Sequence, residues 1–76
     1  MTKKEITEIE KLLSDYSFLE MFAVDKEEWA DSQKNFAKQL AINSLLLRIG
    51  YRTRVDRKAE KEGITYNHFK VEKWRQ

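Results

Sequence analysis

The sequence predicts an all-α fold, a small bundle of three to four helices, on three observations. Apolar residues recur at three- and four-residue steps through the first half, no proline interrupts the chain, and both glycines, Gly50 and Gly63, fall in the second half. At 76 residues the chain is read as a single helical domain, 1–76. A domain this short buries only about 60–65% of the surface its unfolded chain exposes. With no cysteine and one histidine, neither a disulfide nor a structural metal is expected to staple it. Well-packed helices or self-association remain, and a homodimer is expected.

The first helix opens at Thr2, an N-cap with Glu5 three residues on, the spacing of a capping box. Ile6, Ile9, Leu12, Leu13, Tyr16 and Leu19 give one apolar stripe, which Phe18, Met21 and Phe22 widen near its end. Asp25 is the next cap, and Glu27 and Glu28 behind it suit a helix N-terminus through the macrodipole. The second helix then runs through Trp29, Phe36, Leu40, Ile42, Leu45, Leu46 and Ile49 to Gly50. Its last turn is apolar on nearly every side at Leu45 to Leu47, which predicts the centre of the core or of a subunit interface, with Trp29 and the first helix alongside.

Past Gly50 two readings compete. As a strand, Tyr51, Thr53 and Val55 face one way and Arg52 and Arg54 the other. As a helix, Leu47, Tyr51, Val55 and Ala59 form an i, i+4 row. The helix is preferred, because a lone five-residue strand has no evident partner in the chain. Trp74 is expected to pack onto the domain one turn from Val71, or else to anchor a partner.

From Lys58 onward a small residue, Ala59, precedes Gly63 by four positions, Ile64 follows directly, and Phe69 lies six past Gly63. This resembles a helix-turn-helix motif, in which the small residue lets two helices approach, glycine turns with positive φ and the two apolar residues anchor the second helix. The resemblance implies that Thr65 caps that second helix and that Tyr66, Asn67, His68 and Lys70 lie in its first turns, presented to the major groove. Asn67 would then read adenine, while Lys70, Lys73 and Arg75 would touch phosphate. Glu62 stands where that family has an apolar residue before the turn. A second resemblance is to ribbon-helix-helix repressors. It would make Tyr51 to Val55 a strand pairing with its twin in a dimer, but segment 56–62 is roughly one helical turn too short for that family.

Charge points the same way. Residues 1–43 carry six lysines and nine acids, whereas 44–76 carry nine Lys or Arg and four acids, and all five arginines lie at or after Arg48. Arginine's fork suits phosphate and base edges. The expected function is therefore duplex-DNA binding by a small transcriptional regulator or accessory factor. Arg48, Arg52, Arg54 and Lys58 would make phosphate contacts, and residues 65–70 would approach bases. The alternative is a helical adaptor or inhibitor with a protein partner, of the style found among phage and mobile-element products, touching it through Leu45 to Tyr51 or the acidic first helix.

No enzymatic function and no cofactor is expected. His68 could meet only a serine (Ser14, Ser17, Ser32, Ser44) or a threonine, and the paired acids Glu27 and Glu28, or Asp25 and Asp31, read as a solvated face. No apolar run approaches the roughly 20 residues that span a bilayer, so a cytoplasmic protein that does not enter the membrane is expected.

Overall fold

The computed structural model describes residues 1–74. Its elements are α1 (Lys3–Asp25), α2 (Trp29–Arg48), β1 (Tyr51–Lys61) and β2 (Ile64–Lys73), the strands pairing antiparallel. The fold is therefore α+β, two helices and a hairpin, and the all-α expectation with a helix-turn-helix-like C-terminal part is corrected.

Segment 51–73 forms strands for identifiable reasons. The strand that the sequence reading could not find for Tyr51 to Val55 is β2, whose Thr65, Tyr66, Phe69 and Val71 favour extended backbone. Lys61 pairs with Ile64, leaving a two-residue loop of Glu62 and Gly63 with φ of 53° and 77°. Positive φ at both central residues is what a type I′ hairpin turn demands, and its twist matches that of the strands. Gly63 thus turns a hairpin and not a pair of helices. A register shift between Val55 and Arg57 makes Asp56 the extra residue of a bulge.

The helices need smaller corrections. The capping box is present: the Glu5 N–H donates to Thr2 Oγ1 at 3.1 Å and the Thr2 N–H to Glu5 Oε1 at 2.7 Å. The Thr2 backbone N–H, then its hydroxyl, hold the Glu5 carboxyl below the usual carboxylate range, so the cap's contribution is lost as pH falls through that lowered value. Asp25 ends α1 instead of capping α2, whose N-cap is Glu28, and Glu27 takes a positive φ of 59° in the tight connection. Gly50, at φ 86°, breaks the helix before β1.

The core is small. Leu13 of α1, Leu46 of α2 and Val71 of β2 meet at its centre, with Ile6, Ile9, Ile42, Tyr51 and Phe69 around them. Leu46 fulfils the expectation for the end of α2, but Leu45 is 63% exposed and Trp29 58% exposed, so the all-round burial expected there is not found.

Polar residues on α1 close one edge of the sheet. The N–H groups of Asn67, Phe69 and Val71 point out of the hairpin and donate to Ser17 Oγ (2.9 Å), Ser14 Oγ (3.1 Å) and Glu10 Oε2 (2.8 Å). Positions 10, 14 and 17 lie on one helical line, so α1 stands where a third strand would pair. Seven helical residues rise about 10.5 Å while four strand residues span about 13.6 Å, and the longer glutamate side chain at one end spans the difference. Ser17 is 1% exposed. Ser17→Ala should therefore strand the Asn67 N–H and cost about 1–3 kcal/mol, read as a lowered urea midpoint. An unchanged midpoint would show that the bond contributes nothing.

Candidate nucleic-acid interface

Strand alternation sorts the expected DNA-contacting residues onto two faces. Arg52, Arg54, Tyr66, His68 and Lys70 share one face of the hairpin, while Lys58, Thr65, Asn67 and Lys73 lie on the other. On a helix Thr65 to Lys70 would have wrapped one cylinder end; as a strand they diverge. Arg48 stands apart at the end of α2, and Arg75 lies outside the described residues.

The first face is basic and solvated where Arg52, Arg54, Arg57 and Lys70 gather. The side chains of Arg52, Arg54 and Arg57 are 52%, 54% and 62% exposed. Glu72 is the counter-charge, its Oε1 lying 3.0 Å from Arg52 Nε and 3.4 Å from Arg54 Nε. The Arg52 guanidinium also lies 6.0 Å from the centroid of the Trp74 ring, which is 45% exposed, so the expected docking of Trp74 is partial. Toward the turn this face approaches α1, where Phe18 packs edge-on against Tyr66 at 5.5 Å and Lys61 Nζ lies 4.9 Å from the Phe18 ring.

Arg57 carries no mark in the sequence that sets it with Arg52 and Arg54. Without the bulge at Asp56 it would point to the opposite face; with it, Arg57 pairs with His68 and joins the arginine cluster. Asp56 Oδ2 lies 3.6 Å from His68 Nδ1, a buried atom with no hydrogen-bond partner among the described residues, and 4.0 Å from Arg57 Nε. His68 also borders a groove of about 420 Å³ between α1 and β2, where Lys11 and Lys70 are balanced by Glu10 and Asp15. The Ser14 hydroxyl there is engaged on both sides, donating to Glu10 O and accepting from the Phe69 N–H.

The second face is a less coherent surface. Lys58 Nζ donates to Asn67 Oδ1 at 2.7 Å, tying the two polar ends together across the strands. Thr53 Oγ1 donates to Asn43 Oδ1 of α2 at 2.7 Å, tying this face to the helix layer.

No family model, curated protein or solved structure matches the chain. Among the described residues no helix is long and apolar enough to cross a membrane.

Proposed function

We propose that the chain binds duplex DNA by laying the β1–β2 ribbon against the major groove. The observation that carries the reading is the exposed gathering of Arg52, Arg54, Arg57 and Lys70 on one face of a two-stranded ribbon. B-DNA's major groove, about 12 Å wide, admits such a ribbon as readily as a helix. The element that meets DNA is thus a strand pair, with the arginine forks on phosphate and base edges. A role as a transcriptional regulator or accessory factor follows from this reading.

The test is a fluorescence-anisotropy titration of the chain against random duplex DNA at two salt concentrations. Four phosphate contacts imply that affinity falls about 10²-fold between roughly 50 and 200 mM salt. Absence of binding at the lower salt overturns the reading.

A further inference from the structure

Trp29, Phe36, Leu40 and Leu47 are large apolar residues of α2 that the core leaves exposed, at 58%, 47%, 50% and 44%. At about 100° per residue they fall within roughly 20° of one line along the helix. The flanking positions on the solvent side, Gln33, Ala37 and Ser44, are uncharged, and on the other side the patch runs onto β1 through Val55, itself 49% exposed. Between them Phe36 and Leu40 border an apolar groove of about 150 Å³ with Leu13, Thr53 and Phe69.

The spacing of the stripe identifies its occupant. The four residues stand seven, four and seven positions apart, a pattern that reads the same in both directions about position 38. We infer that the stripe is the self-complementary interface of a homodimer in which the two α2 helices cross antiparallel on a two-fold axis at the level of residue 38. Trp29 then meets Leu47 of the partner subunit, and Phe36 meets Leu40 of the partner subunit, each contact occurring twice as an isologous interface requires. Charge agrees with this direction. The acidic N-terminal end of α2, with Glu27, Glu28 and Asp31, comes to the level of Arg48 of the partner subunit, whereas a parallel pair would stack like charges. A chain whose central cluster is Leu13, Leu46 and Val71 gains in a dimer the apolar burial it lacks alone. The dimer stands apart from the DNA reading, and its test contains no DNA.

Sedimentation equilibrium of the full chain should give twice the 9.2 kDa monomer mass at tens of micromolar. Leu40→Glu should weaken the dimer by about 10²-fold with its circular dichroism retained, because a charge would be trapped among the stripe residues. Leu45→Glu, on the other side of α2, should leave the dimer intact. Orientation is read with cysteines in this cysteine-free chain. Mixed Trp29→Cys and Leu47→Cys chains should cross-link to each other on oxidation, and neither should cross-link to itself. Each variant chain carries one cysteine, so any link is between chains, and in the antiparallel pair like cysteines stand about 27 Å apart along the helix axis, beyond disulfide reach. This reading stands even where Leu40→Glu unfolds. A 9.2 kDa mass at every concentration, equal disruption by Leu45→Glu, or self-linking of the Trp29→Cys chain overturns the proposal.

Discussion

Leu13→Ala should leave the chain largely unfolded at 25 °C. Leu13 is 1% exposed and is where α1 meets Leu46 and Val71. Truncating a leucine so placed costs about 2–5 kcal/mol, the lost transfer energy plus the cavity left behind. A core in a chain of this length rarely supplies more than about 3–5 kcal/mol in total, so the loss is comparable to the whole. The neighbouring Leu12 is 42% exposed, and Leu12→Ala should cost a fraction of that. Urea titrations followed by circular dichroism, at one protein concentration so that any dimer contributes equally, compare the two. Equal midpoints for the two variants would contradict the core assignment.

Arg52→Glu with Arg54→Glu should lower DNA affinity by about 10²-fold at roughly 50 mM salt and flatten the salt dependence, since two phosphate contacts become two repulsions. Folding should be unaffected, because both side chains are more than half exposed and their pairs with Glu72 are surface pairs worth about 0–1 kcal/mol. Glu72→Gln is the opposing variant. It removes the acid that competes with phosphate for both guanidinium groups, and it should tighten binding by up to about 5-fold. A double arginine variant that binds as the wild type does would sink the ribbon reading. A weakening by Glu72→Gln would instead assign Glu72 a positioning part in it.

The first half of the chain was legible because its signals are local. Thr2 and Glu5 form the expected capping box, and the three- and four-residue periodicity does mark helices. Which leucines are buried was less legible, since Leu12 and Leu19 belong to the same stripe as Leu13 yet stand exposed. The second half carried two consistent patterns at once. Leu47, Tyr51, Val55 and Ala59 fit a helical row, while the alternation from Tyr51 to Val55 fits a strand, and only pairing with β2 decides between them. That pairing depends on Glu62 taking a left-handed conformation before Gly63, which glutamate does not advertise. The clustering of arginine after residue 48 was plain in composition, but its sorting onto one face depended on the bulge at Asp56. In the sequence Ser14 and Ser17 stand out only as hydroxyls that His68 could meet. Their use as edge acceptors was visible, if at all, as hydroxyls spaced with Glu10 along the line beside Leu13.

The bonds from Glu10, Ser14 and Ser17 to β2 also set an order of events in time. They join residues 61, 55 and 50 positions apart, so the first helix is completed by the last strand. Each helix and the hairpin can form locally, but the step that locks them must close a loop nearly as long as the chain, and such contacts slow folding. On the ribosome α1 would wait on the order of seconds for β2 to emerge, its hydroxyl line meanwhile bonded to water. The same line does not gauge register: outward N–H groups recur at every second residue of β2, so a hairpin closed two residues out of register offers α1 the same ladder, and the slip is exposed only where Val71 no longer meets Leu13 and Leu46.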